Sequence, residues 1–269
     1  MNREMPWAII EVKKRRFAIA TEHLQQIVPL PPIAAVPGLP SFVRGVINLR
    51  GRVIPLVDLR LRLGMTSVVE EVESLCKLLQ DREQDHRRWL AELRNSLVER
   101  RAFRLATDPH KCAFGKWYDS YRSEDAWVNG LLSKFDAPHK KLHASAAHVK
   151  ELQEQGKYEE AGEFINGAGA SILSTMIDLF AELKTIIRES RRETVLALNV
   201  SGRLLAITVD STVAVEKLQV EDLPAGALTE ENAVVQRLGR IANRDEMALI
   251  VEPERILESR AMDAIVQRL

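Results

Sequence analysis

Two histidines four residues apart, His139 and His143 in "DAPHKKLHASA", project from one face of any helix that carries them. Phe135, Leu142 and Ala146 occupy nearby positions, so that face points inward. His86 falls in register with Leu79, Leu90, Leu93 and Leu97, which puts it on a buried stripe as well. Cys112 sits in "HKCAFGKWY", a short aromatic segment broken by glycine. Three imidazoles and one sulfur make a donor set suited to tetrahedral zinc. Burying three imidazoles without partners is costly, and coordination removes that cost.

The same residues have plainer readings. A lone buried histidine is more often a hydrogen-bonded core residue than a ligand, and His110, two before Cys112, is an alternative to one of the four donors. Cys76, ten residues before His86 on the same stripe, reads as a small core residue. His148 and His23 read as surface or packing residues, while Trp89 and Trp117 are expected to pack around the site and limit water access. A zinc hydrolase needs an open coordination position and a nearby base. Lys140 follows His139 where a zincin helix carries Glu, and Cys112 would close the site. A carboxylate-bridged di-iron bundle needs inward Glu-x-x-His pairs, which neither histidine pair supplies. The pattern favours binding over catalysis, so no enzyme is expected.

These donors need helices to hold them, and the middle of the chain supplies the pattern. Apolar residues recur at 72, 75, 76, 79, 90, 93 and 97, with His86 in the same register, the spacing of a helix with one buried stripe. A second helical stretch runs from about Ala126 to Leu152, with Pro138 starting or kinking its second part and Asp136 as its cap. A third covers Ala161 to Ile186, and Gly162, Gly167 and Gly169 weaken its start by up to about 1 kcal/mol each, so a frayed or bent beginning is expected. The flanks read as strands. "WAIIEV" and "FAIA" flank a turn at Lys14-Arg15, "GVINLRGRVIPLVDL" is two strands joined at Arg50-Gly51, and "ALNV" and "RLLAITV" make a hairpin across Ser-Gly. "VVQRLGRIA" and "MALIVE" repeat the pattern across "NRD". Nine of eleven prolines lie outside residues 72–190, whereas five of six histidines and both cysteines lie inside, which marks a helical guest within a β host.

Lysine plus arginine balances aspartate plus glutamate at 38 each, so no overall field draws nucleic acid or anionic lipid. No uninterrupted apolar run approaches the roughly 20 residues that span a bilayer, and the basic cluster Lys13–Arg16 precedes only "FAIA", too short for a signal sequence. Two cysteines without a disulfide pattern fit a reducing cytoplasm. Neither a nucleic-acid partner nor direct membrane insertion is expected.

"QDHRRW", "HKCAFGKWY" and "HKKLH" together resemble the chemoreceptor zinc-binding (CZB) domain over roughly residues 75–150, with Cys-x-Phe-Gly-x-Trp, Cys112 to Trp117, as the specific part. The resemblance implies a helical bundle in which His86, Cys112, His139 and His143 hold zinc. The flanks have a second likeness. "FVRGVINLRGRVIPLVDLRLRLG", residues 42–64, is similar to the chemotaxis coupling protein family CheW, as are "LNVSGRLLAITVDSTVAVEKL" and "MALIVEPERIL". That likeness implies an α+β chain: a CheW-like double β-barrel, residues 1–68 and 191–269, interrupted by an antiparallel helical bundle, residues 69–190. It also implies an adaptor between chemoreceptors and the histidine kinase CheA, located in the cytoplasm at receptor arrays, with Gly45 and Arg50 in the partner-contacting surface. A helical domain in the middle departs from the usual CheW pattern. The combined expectation is a signalling adaptor whose zinc site senses zinc or oxidants such as hypochlorous acid, with a homodimer through the bundle. A purely structural zinc is the alternative.

Overall fold

The computed structural model describes residues 5–190, 193–223, 234–241 and 246–257. It divides into two compact units, Met1–Glu70 with Arg192–Leu269, and Glu71–Arg191.

The first unit is mostly β. In chain order it has β1 (Pro6–Val12), β2 (Arg15–Ala20), β3 (Leu24–Pro29), β4 (Ile33–Ala34), β5 (Val43–Leu49), β6 (Arg52–Asp58) and a short α1 (Leu59–Arg62). After the helical unit come β7 (Thr194–Val200), β8 (Arg203–Val209), β9 (Ser211–Asp222), β10 (Val235–Ile241) and β11 (Met247–Val251). Three hairpins share one turn geometry, with both central residues at positive φ: Lys13-Lys14, Arg50-Gly51 and Ser201-Gly202. Such two-residue turns match the twist of the strands they join. In two of them an asparagine locks the turn, Asn48 Oδ1 accepting from Gly51 N–H and Asn199 Oδ1 from Gly202 N–H, each at 2.9 Å. The first hairpin turns one residue earlier than the sequence suggested, because Val12 pairs with Arg15. The "NRD" turn falls outside the described residues.

Two sheets result. One closes as a barrel in the order β1-β2-β11-β10-β9. The other has six strands in the order β3-β7-β8-β6-β5-β4 and stays open, its last strand being only two residues long. The parallel pair β6–β8 and the antiparallel pair β3–β7 join strands from before and after the insertion into one sheet. Between the sheets lies a shared apolar core that includes Ile10, Phe17, Val57, Leu59, Leu196, Ile207 and Val251. Arg60, 5% exposed, grips both carboxylate oxygens of Asp210 at 2.7 and 2.6 Å, tying α1 to the end of β8.

The helical unit is built on α2 (Val68–Val98), whose start carries a capping box. Ser67 Oγ accepts from Glu70 N–H at 3.1 Å, and Glu70 Oε2 accepts from Ser67 N–H at 3.0 Å. Then follow α3 (Ala113–Ser120), α4 (Ala126–Ser133), α5 (Asp136–Glu154), α6 (Tyr158–Phe164) and α7 (Ala170–Ser190). The single stretch expected over 126–152 is two helices, broken at Lys134-Phe135. Asp136 opens α5 as its first residue and does not cap it; it pairs with Lys140 one turn on. Pro138 fits in that first turn, where no intrahelical N–H is needed. The glycine-weakened start of the last helix is not frayed: one π turn, Ile165–Gly169, joins α6 to α7.

α2 and α7 run antiparallel. Glu73 meets Arg188 and the Cys76 thiol faces the Lys184 carbonyl, whereas further along α2 Leu90 reaches Gly169 and Leu97 reaches Gly162. The continuous helix Tyr158–Ser190 has a mean hydropathy of 1.3 in its most apolar window, enough by length and composition to cross a membrane. That amends the expectation from uninterrupted runs. Seven of its side chains, Ala161, Ile165, Leu173, Met176, Phe180, Leu183 and Ile187, are buried inside the helical unit.

Candidate metal centre

Each donor is aimed by a different local device. His86 sits on α2, and its Nδ1–H donates to the Arg82 carbonyl one turn back at 2.7 Å, which leaves Nε2 as the free lone pair. His143, on α5, donates Nδ1–H to the carbonyl of Ala106 at 3.0 Å. Its Nε2 is buried and has no hydrogen-bond partner among the described residues. His139 lies one turn earlier on the same helix, with Nε2 3.3 Å from the Cys112 sulfur. Cys112 is the N-cap of α3, and its Sγ accepts from Gly115 N–H at 3.1 Å. A helix start favours negative charge on such a sulfur.

One donor atom from each of these four residues lies within 4.8 Å of all the others. The sulfur is 4.0 Å from His86 Nε2. Tetrahedral zinc with bonds of about 2.0–2.3 Å asks its donors to sit roughly 3.3–3.8 Å apart. At up to 4.8 Å the cluster is wider than that by about 1 Å at its longest separation, and at 3.3 Å it matches it. Two ring nitrogens are already turned by carbonyls to present Nε2, and one of these is orphaned in the interior. The residues therefore fit a zinc ion.

Burial sets the protonation states. Desolvation, reinforced by the neighbouring imidazoles, pushes His139 down to about 3 and His143 down to about 4. Desolvation also lowers His86, so all three rings are neutral at physiological pH and able to donate a lone pair. The Cys112 thiol is pushed up by burial, with the N–H groups of Gly115 and Phe114 opposing. A cation must therefore displace the thiol proton on binding.

The walls are aromatic. Phe114 is fully buried and meets His139 edge-on at 5.0 Å and Phe180 at 5.2 Å, while Phe135 packs on both Phe114 and Phe180. Trp89 lies 5.0 Å from His143, as expected of a wall residue. Trp117 does not reach the histidines; it packs behind Phe114 and stacks on Tyr121. Phe114 sits inside the Cys-x-Phe-Gly motif and Phe135 on the inward face read from the sequence, whereas nothing in the sequence marks Phe180.

The remaining candidates separate cleanly. His110 is exposed and bound to Asp119 at 2.9 Å, away from the cluster. His148 is exposed against Phe164, and His23 lies in the β unit with Nδ1 3.2 Å from the Asn199 carbonyl. Cys76 is buried on α2. Arg50 is exposed at the β5–β6 turn. Gly45, expected at a contacting surface, is buried: a side chain there would begin 2.3 Å from the Ala34 carbonyl oxygen of β4.

Residues 7–86 match the family model of the CheW-like domain, and residues 86–150, which hold all four donors, match that of the chemoreceptor zinc-binding domain. The chain joins a CheW-like domain to a CZB domain. Among curated relatives, the chemotaxis protein CheW of Thermotoga maritima is 34% identical over 65 residues, 24% of this chain and 43% of that protein. The probable chemotaxis protein CheW of Rhizobium etli is 41% identical over 51 residues, 19% of this chain and 33% of that protein. These aligned stretches span less than half the length of the relatives. The crystal structure of the scaffolding protein TtCheW from Thermoanaerobacter tengcongensis aligns over 96% of this chain and 94% of its own, with a TM-score of 0.45 and 12% identity, too distant a likeness to carry weight. Strands β7–β11 lie beyond both matched stretches, yet β7 and β8 complete the same sheet as the matched CheW-like strands.

Proposed function

We propose that this chain is a non-enzymatic chemotaxis adaptor: its β unit couples chemoreceptors to the histidine kinase CheA, and its CZB unit holds one zinc ion through His86, Cys112, His139 and His143. The observation that carries the zinc reading is His143 Nε2, a buried lone pair with no partner among the described residues, facing a thiol and two further imidazoles. Four donors fill a tetrahedral shell and leave no position for a reacting water, which argues against hydrolysis. The six-stranded sheet takes the place of the second barrel of the CheW-like architecture, and Arg50 at its hairpin tip is the proposed partner contact. Gly45 contributes from beneath, by letting β5 lie against β4.

Zinc, when bound, supplies a divalent charge that keeps the Cys112 sulfur ionised and ties three chain segments together. Cys112 is where an oxidant such as hypochlorous acid acts. The thiolate sulfur gains the oxygen and becomes sulfenic acid, and chlorine leaves as chloride. A sulfenic sulfur is a poorer donor, so the helical unit loosens, and both of its end helices run directly into the β unit in sequence. A cytoplasmic place at receptor arrays and pairing of two copies through the helical unit belong to the same reading.

Metal analysis of the purified chain tests the core of it. We expect one zinc per wild-type chain and a clear loss in Cys112→Ala. In a reconstituted receptor–kinase assay, hypochlorous acid should change kinase activity with wild type and leave it unchanged with Cys112→Ala. Full zinc content in Cys112→Ala would overturn the ligand assignment, and an oxidant response that persists in that variant would overturn the sensing role.

A further inference from the structure

The carbonyl of Ala106 accepts two hydrogen bonds from two different helices. The indole Nε1–H of Trp89, on α2, donates to it at 2.7 Å, and Nδ1–H of His143, on α5, donates at 3.0 Å. A carbonyl oxygen has two lone pairs, so both donors are satisfied together. Ala106 itself lies in the stretch between α2 and α3, which has neither helix nor strand from residue 99 to 112, and Leu105, Ala106 and Thr107 are all exposed. Trp89 is the opposite: buried, on a 31-residue helix, and held edge-on against Phe103 at 5.0 Å. The rigid partner is therefore the tryptophan, and the loop carbonyl takes its place from it.

His86 needs no such help, since it finds a carbonyl on its own helix. His143 reaches off its helix to a segment that has no regular structure of its own. An imidazole whose Nδ1–H loses its acceptor is free to flip its ring or change tautomer, and Nε2 then no longer presents a lone pair to its neighbours.

We propose that Trp89 is a positioning residue for the metal centre: its indole N–H anchors the Ala106 carbonyl, and the anchored carbonyl holds His143 in the Nδ1–H tautomer with Nε2 turned toward Cys112, His86 and His139. The effect on metal binding rests on the zinc reading above; the hydrogen-bond geometry stands without it.

Trp89→Phe keeps an aromatic ring against Phe103 and deletes the donor. Replacing Trp89 with benzothienylalanine, which has sulfur in place of the indole N–H, keeps the bicyclic shape and serves if the phenylalanine variant does not fold. Nitrogen-15 NMR of the full chain stripped of metal reads the His143 ring: Nδ1–H alone in wild type, and a mixture with the Nε2–H form in either variant. Competition with a chromophoric chelator should show zinc held about 10–100-fold more weakly by both variants, the usual effect of removing a group that orients a ligand. The urea midpoint of the metal-free benzothienylalanine protein should fall only slightly, as the loss of one hydrogen bond requires, whereas a mere packing role would leave the His143 tautomer where it is. An unchanged His143 tautomer, or wild-type zinc affinity in the folded benzothienylalanine protein, overturns the proposal. Wild-type protein that binds no zinc, together with the tautomer change in the variants, overturns the zinc reading and leaves Trp89 as the anchor of His143.

Discussion

At Gly115 the absence of a side chain decides where a sulfur atom sits. A Cβ built there would fall 1.9 Å from the Pro109 carbonyl oxygen, a backbone atom that cannot step aside on its own. The same carbonyl lies 3.3 Å from the Cys112 sulfur, which in turn accepts from Gly115 N–H. Gly115→Ala therefore displaces the loop and the sulfur together. We expect it to lower the stability of the metal-free chain by about 1–3 kcal/mol and to reduce zinc content. Urea denaturation and metal analysis of one preparation check both, and an unmoved midpoint with full zinc would contradict the account. Much of this was readable from residues alone: the four-residue spacing of His139 and His143, the stripe position of His86, and the glycine beside Cys112. The bond from Trp89 through Ala106 to His143 was not, because it passes through a loop with no periodicity. Nor was the removal of His110 from the donor set, since its capture by Asp119 depends on how α3 folds back over the turn before it.

Among the helices, α2 and α7 are joined by charge as well as by apolar contact. Glu83 on α2 accepts from Arg87 on its own helix at 2.8 Å and from Lys184 on α7 at 3.1 Å. Burial alone would push its carboxyl up, but the hydrogen bonds from Arg87 and Lys184 outweigh it and hold it below the usual glutamate value of 4.5. A carboxylate whose folded value is depressed stabilises fully above the unfolded value and loses that contribution as pH falls through the folded one. Glu83→Gln should thus cost about 1 kcal/mol at pH 7, and the difference from wild type should shrink steadily below about pH 4.5. Chemical denaturation of the metal-free proteins across that range is the measurement, and a difference that is constant with pH would reject the pairing. Helix positions were legible from apolar periodicity, but their ends were less so. Periodicity runs straight through Lys134-Phe135, and only packing of Phe135 against Phe114 and Phe180 accompanies the break there. The glycines near 167 weakened the local helix on paper, yet neighbouring turns absorb them in a single π turn.

Across the whole chain, the two units have separate cores, so zinc removal should act on one of them. Chelation is expected to lower the unfolding temperature of the helical unit and leave the β transition in place, seen as one calorimetric transition shifting while the other stays. A shared shift of both would show that the units unfold together. The host was recognisable because strand alternation and turn residues survive on both sides of the guest. The double barrel that the likeness implied is found only in part: one sheet closes, and the other stays open at β4, an edge strand only two residues long.

The pairing of β6 with β8 and of β3 with β7 has a consequence for the order of events on the ribosome. About 120 residues of guest are made before either partner strand emerges, which at roughly 5–20 residues per second is a wait of several seconds or more. The helical unit can collapse as soon as it leaves the exit tunnel, whereas β3 has no neighbour and β6 keeps one flank bare until β7 and β8 are translated. The guest is thus positioned to finish folding first and to deliver the late strands to a half-built sheet.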